Sequence, residues 1–158
     1  MNFFTTIPTS SALPSFPSYL HFGGKAACLE QSAARKESTR SVLVVDDVAD
    51  IAFMLSAYLE RAGYRAVPVF SSNEALEAVK REHFDAIISD IGLPVMDGYE
   101  LAKEVRKLRD YVSTPLIAVT GFAEYSDQQN AFNAGFDAHL KKPVDPTKLL
   151  EIVKLLGL

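Results

Sequence analysis

An α/β fold, a doubly wound five-stranded parallel sheet with five helices, is what three features of the sequence predict. Five short apolar runs with β-branched content recur from residue 42 onward, and stretches of helical periodicity separate each run from the next. Strands that alternate with helices imply right-handed crossovers, which make the sheet parallel and cover both of its faces. The third feature is the near-continuous apolar character of "VLVV" (42–45) and "AIIS" (86–89), which suits strands buried on both sides.

The elements follow in order. The first strand, "VLVV", leads into a helix whose apolar stripe is Ile51, Met54, Leu55, Tyr58 and Leu59, with Gly63 as its left-handed stop. "AVPVF" (66–70) is the second strand, and Pro68, which cannot donate to a ladder, places it at an edge. Ser71-x-x-Glu74 reads as a capping box opening the second helix through Ala75, Leu76 and Val79. After "AIIS", Asp97-Gly98 turns the chain into a third helix striped by Leu101, Val105 and Leu108. "LIAV" (116–119) is the fourth strand, and a weakly amphipathic fourth helix, about residues 126 to 134, stops at Gly135. "AHL" (138–140) is the fifth strand. Asp145-Pro146 then supplies an N-cap followed by proline at the first helical position, and Leu149, Ile152, Val153 and Leu156 stripe the fifth helix.

Composition divides the chain. The 158 residues, 48% of them hydrophobic, suffice for one ordinary core. Residues 1 to 24 contain no Asp, Glu, Lys or Arg and are rich in Ser, Thr and Pro, so residues 1 to 40 are expected to be a disordered N-terminal tail and 41 to 158 the folded domain. Pro8, Pro14 and Pro17 interrupt any signal-peptide core there, and a transit peptide is the weaker alternative to a plain tail. Residues 41 to 158 carry 12 basic and 18 acidic side chains, a net charge of −6 that gives no general surface for nucleic acid or anionic membrane. A single Cys28 fits a reducing, cytoplasmic compartment, and nothing resembles a transmembrane run.

In a parallel α/β sheet all strand C-termini lie along one edge, where ligand sites form. Strand 1 there ends in Asp46-Asp47, strand 3 in Asp90 and strand 4 in Thr120-Gly121, while strand 5 runs into Lys141-Lys142-Pro143. Three carboxylates at one edge repel unless a cation sits among them, and hard oxygen ligands suit Mg²⁺. His21, His83, His139 and Cys28 are too scattered for zinc. Singly, each feature has a plainer reading as a cap, a strand exit or a solvated turn. Their convergence does not.

The quoted strand ends occur within "VLVVDD", "DAIISDIGLPVMDGYEL", "PLIAVTG" and "AGFDAHLKKPV", in that order, and on these motifs residues 41 to 158 resemble the receiver domain of two-component response regulators. The resemblance implies the flavodoxin-like strand order 2-1-3-4-5 and a phosphoprotein of a two-component system or phosphorelay. It implies Asp90 as phosphoacceptor and Mg²⁺ held by Asp46, Asp47, Asp90 and the Gly92 backbone carbonyl. It further implies Thr120 on the phosphoryl group, Lys142 as its cationic partner, and a cis Lys142-Pro143 bond. A histidine kinase or histidine phosphotransfer protein is the implied donor, and a downstream protein the implied target at the face of helix 4, strand 5 and helix 5. The domain is then no enzyme beyond catalysing its own phosphorylation and dephosphorylation.

His139 stands where the family usually has a switch aromatic, so it is either a switch partner of Thr120 or an ordinary half-exposed strand histidine. Gly92 and Phe122 occupy positions that influence hydrolysis in the family, and their lack of an orienting group and apolar bulk predict a slowly hydrolysed phosphoryl group. Helix 4, rich in Gln, Asn and Ala, predicts a monomer. The expectation is a stand-alone receiver. Its alternatives are a fragment of a hybrid histidine kinase, a receiver-like scaffold that is never phosphorylated, and a haloacid-dehalogenase-like Mg²⁺ phosphatase.

Overall fold

The computed structural model describes residues 39–121 and 125–158, with the side chains of 125–127 excepted. Its strands are β1 (Ser41–Val45), β2 (Arg65–Val69), β3 (Ala86–Asp90), β4 (Leu116–Thr120) and β5 (Ala138–Lys141). Among the described residues they alternate with five helices: α1 (Ala49–Arg61), α2 (Ser72–Arg81), α3 (Gly98–Lys107), α4 (Tyr125–Ala134) and α5 (Pro146–Leu155). All neighbouring strands pair in parallel, in the order β2-β1-β3-β4-β5. The predicted fold and order are those observed. The tail expected over residues 1 to 40 lies, up to residue 38, outside the described residues.

Period-two alternation explains why the strands read as unbroken apolar runs. Leu43, Val45, Ile87, Leu116 and Ala118 face a core shared with Val79, Leu101, Val105 and Ala131, that is, with α2, α3 and α4. Val42, Val44, Ile88, Ile117 and Val119 face the other way, onto Leu55 and Leu59 of α1 and Leu149 and Val153 of α5. Each such Val, Leu or Ile side chain, removed from water, contributes roughly 1.5–3 kcal/mol. The two cores pin the register because a one-residue slip would exchange every side chain between faces.

Pro68 lies on edge strand β2 as expected. The amide of Arg65 donates to Arg40 O, and Val69 O accepts from the amide of Asp46. Odd-numbered residues of β2 therefore address β1, and the nitrogen of Pro68 faces the open side, where it interrupts no ladder bond.

Caps hold the helix starts. Ser71 Oγ accepts from Glu74 N, and the Glu74 carboxylate reaches back one residue beyond the cap to accept from Phe70 N at 2.9 Å. Asp97 and Asp145 cap α3 and α5, with Pro146 in the first turn of α5. Gly63 and Gly135 adopt φ of 96° and 110° just beyond α1 and α4.

Two sequence expectations shift. Met54 is 39% exposed, because the buried face of α1 is Ala52, Leu55, Ser56 and Leu59, which places small residues where the helix meets the sheet. Leu108 packs against the same core as Leu101 and Val105, but as the C-cap of α3, and a 3₁₀ turn, Arg109–Tyr111, follows it. Tyr111 holds that turn: its hydroxyl donates to Glu82 O at 2.9 Å and accepts from Phe84 N at 3.1 Å, which pulls the chain out of the helix.

Ser56 Oγ is buried with no hydrogen-bond partner. A stranded hydroxyl costs about 1–3 kcal/mol, and alanine is the better helix former. Ser56→Ala should therefore raise the denaturant midpoint at unchanged slope, by roughly 1 kcal/mol of stability. A lower midpoint would contradict the burial of an unpaired group.

Candidate functional site

The strand order reverses between β1 and β3, so their C-termini open a crevice at the upper edge of the sheet. Register then decides what fills it. β1 pairs Val45 with Ser89 of β3, which brings Asp46 and Asp90 out side by side. Asp90 in turn pairs with Val119 and Thr120 with Lys141, so Thr120 and Lys142 arrive at the same edge from β4 and β5.

The structure brings these groups together. Carboxylate oxygens of Asp46, Asp47 and Asp90 lie within 4.8 Å of one another. Asp46 is fully buried, Asp90 and Thr120 are nearly so, and Asp47 is exposed. Lys142 Nζ sits 2.7 Å from Asp46 Oδ2 and 3.0 Å from Asp90 Oδ2, while its own amide donates to Thr120 O at 2.7 Å. The second oxygen of Asp46 accepts from Val48 N, which turns the chain toward α1, whose N-cap Val48 has no side-chain cap. The Lys142-Pro143 peptide is cis, as the family resemblance implies.

Burial pushes the Asp46 carboxyl above its ordinary value, against the opposing pull of the Lys142 ammonium and the Val48 amide. Burial also works against the Lys142 charge, but two hydrogen-bonded carboxylates outweigh it and its pKa rises. The difference follows from number: the lysine has two carboxylate partners, whereas Asp46 shares one lysine with Asp90.

The donor set fits a hard dication. Among the described residues Asp46, Asp47 and Asp90 form the one group of three potential ligands, all of them oxygen donors, as Mg²⁺ prefers. Gly92 borders the same space, and a Cβ there would lie 3.6 Å from Asp90 Oδ2, so glycine keeps the mouth of the site open.

The loop after Asp90 is held at both ends. Leu93 is buried, Met96 O accepts from Ser72 Oγ, and the fully exposed Val95 between them has φ of 70°, a conformation uncommon for a β-branched residue. Gly98 is needed for space rather than for a turn. A Cβ there would meet Asp90 O at 2.4 Å and Ile91 Cα at 2.7 Å, because α3 begins directly against the end of β3.

His139 is half-buried on β5 beside Ala118, with its Nε2 enclosed. Phe122 lies outside the described residues. Sequence reasoning missed Tyr99, which lines a cavity of about 340 Å³ together with Asp90, Gly92, Thr120, Gly121 and Lys142. The available signal was its place one residue after Gly98.

Comparison with known proteins agrees with this fold. The family model of the response regulator receiver domain matches residues 42–154. An uncharacterized 14.6 kDa protein of Leptolyngbya boryana is 39% identical over 113 residues, spanning 72% of this chain and 86% of its own. The chemotaxis response regulator CheY4 of Vibrio cholerae matches with a TM-score of 0.72 at 34% identity, covering 75% of this chain and 99% of that one. The receiver domain of sensor histidine kinase PA1611 from Pseudomonas aeruginosa PAO1, solved with a magnesium ion in its active-site cleft, matches with a TM-score of 0.70 at 31% identity. That match covers 77% of this chain and all of the other.

Proposed function

Because this chain belongs to the response regulator receiver domain family, it is a signalling module of two-component systems, and we propose that Asp90 is the residue that accepts its phosphoryl group. The observation that carries the assignment is the position of the Asp90 carboxylate at the end of β3, 3.0 Å from Lys142 Nζ and within 4.8 Å of the other two acids.

An Asp90 oxygen attacks phosphorus, the bond from phosphorus to the donor's imidazole nitrogen breaks, and the imidazole leaves with that electron pair. An acyl phosphate results. Lys142 and the Thr120 hydroxyl stabilise charge on the equatorial oxygens of a loose transition state. Asp46, Asp47 and Asp90, with the Gly92 carbonyl, would hold Mg²⁺, which supplies further charge neutralisation when bound. Thr120 then links phosphorylation to the β4 end of the domain, and His139 on the neighbouring strand is the switch partner in this reading.

Receiver domains act between histidine kinases or phosphotransfer proteins and downstream targets. For this chain we place the target at the face of α4, β5 and α5, acting on a monomer in the cytoplasm, with no catalysis beyond its own phosphorylation and dephosphorylation. No described helix is long and apolar enough to cross a membrane. A haloacid-dehalogenase mechanism needs Asp-x-Asp after the first strand, where this chain has adjacent Asp46 and Asp47.

The test is incubation with acetyl phosphate and Mg²⁺, followed by intact mass. The parent should gain one base-labile phosphoryl group and Asp90→Asn none. Equal labelling of Asp90→Asn would remove the assignment, and an unlabelled parent would favour the scaffold reading.

Magnesium should raise the thermal midpoint at neutral pH, and by less as the solution is acidified. The folded-state pKa of Asp46 lies above its ordinary 3.8, so its ionisation costs the metal-free domain stability as pH rises from that value through the raised one. Metal binding needs the ionised form, and protons compete for it in that same window. A magnesium shift of equal size in acid would show that Asp46 takes no part.

A further inference from the structure

We propose that Tyr99 is a specificity-determining residue of the phosphoryl pocket, a partition that limits the size of leaving group the site admits beside Asp90. The inference rests on Asp90 as acceptor. Two hollows meet at this side chain: the cavity of about 340 Å³ at Asp90, and a second of about 360 Å³ between α3 and α4, bordered by Asp97, Glu100, Lys103, Asn130 and Asn133. Tyr99 is the one described residue that lines both. A residue that borders both hollows lies where they meet, and we take its ring as the partition.

That wall is fixed at its base. Gly98, the residue before it, is pressed against the Asp90 backbone, and the Gly98 amide donates to Ile91 O at 2.9 Å. The half-buried Tyr99 also packs against the core on the α3 side of the sheet. Its distance from Asp90 is therefore set by backbone contacts.

The opposite walls contribute no bulk. A Cβ on Gly121 would meet nothing within 4 Å, and one on Gly92 would touch only Asp90 Oδ2. Thr120 and Lys142, which also line the cavity, belong to the phosphoryl-transfer machinery, so among its described lining residues Tyr99 is the aromatic ring that can limit the room beside the acceptor carboxylate. Truncating it would join the Asp90 cavity to the polar hollow and leave space for a bulkier donor.

Acetyl phosphate and benzoyl phosphate isolate this effect. With either, an Asp90 oxygen forms the new bond to phosphorus, the bond from phosphorus to the acyl oxygen breaks, and acetate or benzoate departs with that electron pair. The leaving group differs chiefly in size. Phosphorylation rates with both donors would be measured by intact mass for the parent, Tyr99→Phe, Tyr99→Leu and Tyr99→Ala. The ratio of the two rates within one preparation cancels any difference in folded fraction.

The benzoyl-to-acetyl ratio should rise about tenfold in Tyr99→Ala, the discrimination that a modest change in apolar contact supplies, and by less in Tyr99→Leu. Tyr99→Phe should keep the parent ratio. An unchanged ratio in both Tyr99→Ala and Tyr99→Leu, with the parent phosphorylated at Asp90, overturns the partition while leaving the acceptor assignment intact. A parent labelled by neither donor, or labelled equally in Asp90→Asn, removes the acceptor assignment and the partition with it.

Discussion

Alanine at position 98 is expected to destabilise the domain by about 3 kcal/mol, the upper range for an added methyl with no room. The new Cβ would lie 2.4 Å from Asp90 O and 2.7 Å from Ile91 Cα, and both obstacles are backbone. Neither can rotate away. Relief requires α3 to retreat from the end of β3, which breaks the Gly98 N to Ile91 O bond, or the strand end to move, which takes the acceptor carboxylate with it. A displacement near 1 Å at a reacting atom can cost about a hundredfold in rate. Gly98→Ala should therefore lower both the denaturant midpoint and the rate of labelling by acetyl phosphate. If the variant melts and labels like the parent, the close approach of α3 to Asp90 is wrong.

Arg106→Met should cost roughly 2–3 kcal/mol, the range for losing part-buried hydrogen bonds from a charged donor whose one acidic partner, Asp137, is exposed. The guanidinium, on α3, accounts for six close contacts with few exposed atoms. Nε and Nη2 donate to Gly135 O, Nη1 donates to Tyr111 O, Val112 O and Thr114 O, and Nη2 pairs with Asp137 Oδ2 at 2.7 Å. Asp137 uses that same oxygen to accept from Leu116 N. One side chain thus ties α3 to the segment before β4 and to the turn before β5. Methionine fills part of the volume but leaves part-buried carbonyls without this donor, while the exposed Asp137 keeps its bond from Leu116 N. Arg106→Lys should fall between, since an ammonium cannot reproduce the planar fork. Urea unfolding measures all three proteins, and a midpoint for Arg106→Met within experimental error of the parent would refute the hub.

Those two positions show where sequence reading reached and where it stopped. Helices were legible from their apolar stripes and strands as short apolar runs between turns, and the acids were legible because a parallel sheet sends every strand end to one edge. Gly98 was legible as punctuation only. Its real constraint is the distance from the helix start to a strand backbone eight residues earlier in the chain. Arg106 gave no signal, since its partners at 111 to 114 and 135 to 137 become neighbours only once the sheet has formed. Met54 misled because the helical template weighs large apolar residues, whereas the tight approach of α1 to the sheet selected Ala52 and Ser56. The end of α3 at Leu108 was hidden because the bonds of Tyr111 to Glu82 and Phe84 set it. Tyr99 entered none of the sequence patterns, and only the cavity at Asp90 distinguishes it.

The edges of the sheet carry a consequence for behaviour at high concentration. An open strand edge with free amides can recruit the edge of another molecule and nucleate aggregates. On β2 the outward-facing positions are Ala66 and Pro68, so half of the amides that could bridge to a neighbour are missing by construction. At the other margin β5 is four residues long and ends in the exposed Lys141, whose charge would repel its own copy. Crowded copies of the domain are thereby steered away from strand-to-strand polymerisation, a protection written into its two outermost strands.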